Sequence, residues 1–89
     1  MMLTLATTNR FEKNFKKMLN RGKNKEKLRV VIDLLVAQQP LPAKYKDHLL
    51  IGNWEGFREC HIEPDWLLIY QISTEELILT DTGTHADLF

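Results

Sequence analysis

The apolar pattern of this chain changes period once, near residue 54, and that change limits the fold more than any other feature. Before it, apolar residues recur at helical spacing: Phe11, Phe15, Met18 and Leu19, then Leu28, Val31, Ile32 and Leu35. After it, they fall in three short runs of β character: Phe57 to Ile62, Trp66 to Ile72 and Leu77 to Thr82. Amphipathic helices and half-buried strands each have one apolar face to hide. In 89 residues the economical solution is one α+β domain spanning 1–89, with helices laid on a sheet.

Local signals punctuate this plan. Leu3 to Thr7 alternates and predicts a short first strand. Asn9, with Glu12 three residues on, predicts an N-cap with a capping box. Gly22 is a stop for the first helix, and the stretch Gln38-Gln39-Pro40-Leu41-Pro42 ends the second. The two helices are expected to form an antiparallel hairpin. Residues 43–53 have no clear period and read as a loop carrying Tyr45, Lys46, Asp47 and His48. Glu63-Pro64-Asp65 and Ser73 to Glu76 read as turns. The expected architecture is two N-terminal helices on a four-stranded, mostly antiparallel sheet.

Charge is balanced overall but divided along the chain. Residues 1–50 carry eleven Lys and Arg against four acids, and residues 51–89 carry one, Arg58, against eight acids. Such asymmetry points to one basic face for a polyanion. No apolar stretch approaches a membrane span, and no secretion signal precedes the first strand. The single cysteine, Cys60, excludes an internal disulfide and fits a reducing cytoplasm.

All three histidines lie in the second half, each beside a carboxylate: His48 next to Asp47, His61 near Glu59 and Asp65, and His85 near Asp87. Imidazole titrates close to cellular pH, so these clusters suit acid–base chemistry or a metal. Neither His-x-x-x-His nor Cys-x-x-Cys spacing occurs, and Cys60 and His61 are adjacent on a strand and face opposite ways. The spacing therefore argues against a metal and for proton transfer, with Glu59 and His61 sharing a strand face. Asp65 serves equally well as a base or as a turn residue. His48 is a candidate base or a loop histidine bonded to backbone. Trp66, at the head of an apolar strand, can stack on a base or pack in a core.

The segments Tyr45-Lys46-Asp47-His48 and Gly52-Asn53-Trp54, the run from Arg58 to Tyr70, and Thr82-Gly83-Thr84-His85 with Leu88-Phe89 occur in an order that resembles the RelE-like toxins of type II toxin–antitoxin systems. The likeness is to their YafQ branch, and the run from Arg58 to Tyr70 is its most specific part. The resemblance implies a cytoplasmic, metal-free and cofactor-free endoribonuclease that cuts mRNA on the ribosome and is bound by a cognate antitoxin. It assigns catalysis to His48, His61, Asp65 and His85, with His85 the first choice as general acid. Glu59, Trp66, Asp81 and Phe89 fall at substrate-binding positions, the two aromatics as stacking platforms. Lys13, Lys16, Lys17, Lys23, Lys25 and Lys27 would meet ribosomal RNA phosphates, contacts that set position rather than sequence.

One position departs from the pattern. The family typically has arginine where this chain has Asp81, which exchanges a cation that could hold the scissile phosphate for an anion that repels it. The alternative expectation is a weakened toxin that mainly binds antitoxin and RNA.

Overall fold

The computed structural model describes residues 2–89. Its elements run β1 (Thr4–Thr7), α1 (Asn9–Asn20), α2 (Lys25–Val36), β2 (His48–Leu49), β3 (Arg58–Glu63), β4 (Trp66–Ile72), β5 (Glu76–Gly83) and α3 (His85–Leu88). Single 3-10 turns at Ala43–Tyr45 and Gly52–Trp54 flank β2. The strands form one sheet in the order β1-β5-β4-β3-β2. β1 pairs parallel to β5, and every other pairing is antiparallel.

The expected count of two helices on four strands is corrected on two points. The fifth strand is β2, which lies in the segment read as a loop: His48 pairs with Glu59, and Leu49 with Arg58. Two residues are too few to show a β period, so only pairing with β3 reveals them. The third helix is the single turn α3. Its signature, Thr84 followed three residues later by Asp87, is a capping box in the sequence: the Thr84 side chain accepts from the Asp87 N–H, and Asp87 accepts from the Thr84 N–H.

The helix caps fall close to expectation. α1 is capped by Thr8, not Asn9; its Oγ1 accepts the Phe11 N–H at 3.0 Å and donates to the Thr80 carbonyl at 2.7 Å. A threonine that ties the helix start to β5 outcompetes an asparagine one residue on. Gly22 adopts φ +92° just past α1, a left-handed conformation that glycine enters without a Cβ clash. Asn24 caps α2 by accepting the Glu26 N–H at 2.9 Å.

The two faces of the sheet differ. On one, Phe11 and Met18 of α1 and Leu28, Val31 and Leu35 of α2 bury against Cys60, Ile62, Trp66, Leu68, Tyr70, Leu77 and Leu79. The other face carries two cross-strand rows. His48, Glu59, Ile69 and Asp81 are successive partners from β2 to β5, and His61, Leu67 and Gly83 form the next row. Directly paired residues share a face, so the rows set Glu59, His61 and Asp81 together, away from the helical core.

Candidate active site

Pleat alternation on β3 turns Cys60 and Ile62 into the core and leaves Glu59 and His61 on the second face. The shared face expected for Glu59 and His61 is present: His61 Nε2 lies 3.5 Å from Glu59 Oε1. β2 brings His48 to the same carboxylate, with its Nε2 3.2 Å from Oε1. His48 Nδ1 meets the Leu49 carbonyl at 3.1 Å. Both nitrogens of His48 thus face acceptors. Glu59 is buried, and its Oε2 has no hydrogen-bond partner among the described residues.

α3 supplies the third histidine. His85 Nδ1 lies 2.6 Å from Asp65 Oδ1, and the same oxygen accepts the His85 backbone N–H at 2.8 Å. These bonds, the backbone one foremost, hold the Asp65 carboxyl below the usual carboxylate range. A carboxylate so held is a weak base and a good anchor. Asp65, expected as a base or a turn residue, is the hydrogen-bond partner of both the ring and the backbone of His85.

The rings of His61 and His85 are 5.6 Å apart between centroids, and those of His48 and His61 are 6.5 Å apart. Imidazoles from β2, β3 and α3 therefore form one continuous line. His61 and His85 line a groove of about 670 Å³ that Lys27, Lys44, Tyr45 and Lys46 also line. Lys44 and Lys46 are exposed and sit beside the histidines more directly than most of the helix lysines. Neither was expected to meet RNA, because the loop that carries them has no period; the signal for them is two lysines around Tyr45, just ahead of His48.

The other expected residues divide. Phe89 is 63% exposed and stays available for stacking. Trp66 does not: it is fully buried, and its indole N–H donates to Thr82 Oγ1 at 2.9 Å. The stacking expectation for Trp66 is corrected to a core role. Asp81 is also buried, its Oδ1 accepting from Asn14 at 2.7 Å and from the Thr82 N–H at 2.8 Å. It is not an open anion facing substrate. Of the six N-terminal lysines expected to meet RNA, Lys23 and Lys27 both bond Glu63 at 2.7 Å, which lowers the Glu63 pKa. Lys13, Lys16, Lys17 and Lys25 are exposed.

Two supporting contacts position the histidines. Arg58, Tyr70 and Asp47 form a cluster in which Arg58 Nη2 reaches Asp47 Oδ2 at 2.9 Å and the Tyr70 hydroxyl donates to Asp47 Oδ1. This pins the backbone just ahead of His48. Burial, then the bond to Asp47, pushes the Tyr70 pKa up. Arg21 clamps Asp87 with Nη1 at 2.6 Å and Nη2 at 3.3 Å, tying α3 to the end of α1. Cys60 is fully buried and its thiol is pushed up to about 12, chiefly by burial, as expected for a core-facing, unreactive cysteine.

Ligating atoms of His48, Glu59 and His61 lie within 4.8 Å of one another, so these residues could hold a cation. The three are gathered by the β2–β3 pairing and not by a sequence motif, so residue spacing does not reveal them.

A family described as "Bacterial toxin of type II toxin-antitoxin system, YafQ" matches residues 3–89. The "mRNA interferase toxin YafQ" of Escherichia coli K12 is 46% identical over 80 residues, covering 89% of this chain and 87% of that protein. The E. coli DinJ–YafQ toxin–antitoxin complex contains a chain that superposes with a TM-score of 0.91 at 41% identity, over 100% of this chain and 99% of that one. A metal-bound toxin from Helicobacter pylori superposes with a TM-score of 0.92 at 44% identity, over 99% of this chain and 100% of that one.

Proposed function

The chain belongs to the YafQ family of bacterial type II toxin–antitoxin toxins, and from that premise we propose that it is an endoribonuclease that cuts mRNA on the ribosome by histidine-based acid–base catalysis. The observation that carries the reading is the succession of three neighbouring imidazoles, each beside a carboxylate, two of which line a groove shared with Lys27, Lys44 and Lys46.

RNA brings its own nucleophile. Glu59 draws the Nε2 edge of His61, which leaves the Nδ1 lone pair to take the proton of the 2′-hydroxyl. The 2′-oxygen then attacks phosphorus. Asp65 orients the His85 ring through Nδ1, so that Nε2 of the protonated ring delivers a proton to the departing 5′-oxygen. The products are a 2′,3′-cyclic phosphate and a 5′-hydroxyl. His48, held between Glu59 and the Leu49 carbonyl, supplies positive charge beside the phosphorane in its protonated form, and electrostatic stabilisation of this kind is often larger than either proton transfer. Phe89 offers a face for a base. His48, Glu59 and His61 would hold a divalent cation where one is present, and it would supply Lewis acidity there.

The exposed lysines Lys13, Lys16, Lys17 and Lys25 fit ribosomal RNA phosphates, with Lys44 and Lys46 nearer the cut strand. A cognate antitoxin is the proposed protein partner, in line with the DinJ–YafQ complex. Among the described residues no helix is long and apolar enough to cross a membrane, and a cytoplasmic setting follows from the ribosomal substrate.

The test is cleavage of a translated mRNA followed by primer extension, with and without ribosomes. Cuts that need ribosomes, stop on adding the antitoxin and fall by about 10²-fold or more in His85→Ala support the reading. An uncut message with a folded wild-type chain contradicts it.

A further inference from the structure

Asp81 sits at the end of the row that also holds His48 and Glu59, two strands from Glu59 and so about 10 Å away along the sheet. Its side chain is 1% exposed, yet it is a carboxylate. Oδ1 is satisfied by Asn14 and by the Thr82 N–H. Oδ2 has no aligned hydrogen bond among the described residues; it meets Arg10 Nε at 3.0 Å as an ion pair only. Arg10 itself is 66% exposed, and its Cζ lies 5.6 Å from the centroid of the Trp54 ring.

This is an odd arrangement if its only purpose is stability. Burying a carboxylate is costly, and an exposed guanidinium partner returns little. A hydrophobic side chain at position 81 would pack beside Ile69 with no such penalty. The arrangement does achieve one thing. A side chain from α1 is drawn to Asp81 at the end of the histidine row, paired there through Nε, set beside an indole, and left largely open to solvent.

Resting on the reading of this face as an RNA-cleaving site, we infer that Arg10 is a phosphate-holding cation of the site, delivered by Asp81 and stacked on Trp54, and that it grips a backbone phosphate of the mRNA strand. A guanidinium suits this role because its planar fork matches two phosphate oxygens at once. The loosely aligned Oδ2 contact lets the fork turn toward RNA without first breaking a strong hydrogen bond. Asp81 is then a positioning residue, and its negative charge does not face the substrate.

The experiment measures two quantities on the full chain. One is binding of a single-stranded RNA made uncleavable by 2′-O-methyl riboses, by fluorescence anisotropy across a salt series. The other is ribosome-dependent mRNA cleavage. Arg10→Gln is expected to reduce the slope of log affinity against log salt by about one, the mark of one lost phosphate contact, and to lower cleavage at least tenfold. Arg10→Gln combined with Asp81→Arg is expected to restore the slope and much of the cleavage, because the cation then comes from β5 itself. Should Arg10→Gln fail to fold with Asp81 left unpaired, the charge-free pair R10Q/D81N carries the same test, with the same expected loss of slope. Wild-type slope and cleavage in a folded variant lacking the Arg10 charge overturn the inference while leaving the enzyme reading intact. A wild-type chain that neither binds nor cuts RNA overturns both.

Discussion

Asp65 Oδ1 accepts two bonds from one residue, the ring Nδ1–H of His85 at 2.6 Å and its backbone N–H at 2.8 Å. One carboxylate oxygen therefore fixes both where α3 begins and which way its imidazole faces. The cause is local: Glu63-Pro64-Asp65 turns the chain into β4, and Thr82 and Gly83 at the end of β5 pair alongside, so the two connections meet.

Asp65→Asn tests that relationship. An amide can turn its NH2 toward Nδ1 and favour the wrong tautomer. The expected outcome is a fall in kcat of about 10-fold to 10²-fold, with KM and thermal stability little changed, since both side chains are more than half exposed. Single-turnover cleavage kinetics check it. A proportionate rise in KM would show that Asp65 binds substrate instead.

The clamp between Arg21 and Asp87 should act on the same histidine from a distance. Arg21→Gln loosens α3 without touching the groove. We expect a drop in kcat of several-fold and a Tm change within a few degrees, because exposed ion pairs contribute at most about 1 kcal/mol. The amide protons of residues 85–89 should exchange faster in the variant, which hydrogen exchange reads directly. Gly83→Ala is expected to be worse, since a Cβ there would lie 2.9 Å from Asp87 Cβ.

Trp66 separates stacking from packing. Trp66→Phe keeps an aromatic face but loses the N–H bond to Thr82. A core role predicts destabilisation of about 1–3 kcal/mol by denaturant unfolding, with RNA affinity unchanged. A stacking role predicts the opposite pair of results.

Acid should unfold the chain through its paired carboxylates. The Glu63 pKa is lowered by hydrogen bonds from Lys23 and then Lys27, that of Asp65 by the His85 N–H, and that of Asp87 by Arg21 and then the Thr84 N–H. Each folded pKa lies below its unfolded value of about 4. Their stabilisation is thus fully present above about pH 4 and is lost as pH falls through the depressed folded values. Unfolding midpoints in guanidinium chloride should be flat from pH 5 to 7 and fall below pH 4. Glu63→Gln should flatten part of that fall.

Much of this was legible in the sequence, where periodicity is long enough to read. α1, α2 and β4 span several turns or alternations, and the buried helix residues Phe11, Met18, Leu28, Val31 and Leu35 are all among those the pattern selects, while Phe15, Leu19 and Ile32 are only partly buried. β2 was not legible, because a two-residue strand has no period and exists only through pairing with β3. The site was legible as a set of histidines and acids but not as a geometry. That Glu59 serves both His48 and His61 depends on cross-strand register, which no single segment encodes. Asp81 was the least legible residue. Its effect depends on Arg10, 71 positions away in sequence, and so its charge read as exposed when it is buried and paired.

In the proposed reaction His85 protonates the leaving 5′-oxygen while His61 deprotonates the 2′-hydroxyl. An mRNA with sulfur in place of the scissile 5′-oxygen tests it most directly, because a thiolate leaves without needing a proton. On ribosomes programmed with that message, His85→Ala should cut at close to the wild-type rate, whereas His61→Ala should stay defective. Equal impairment of His85→Ala on the sulfur and oxygen substrates would contradict the assignment.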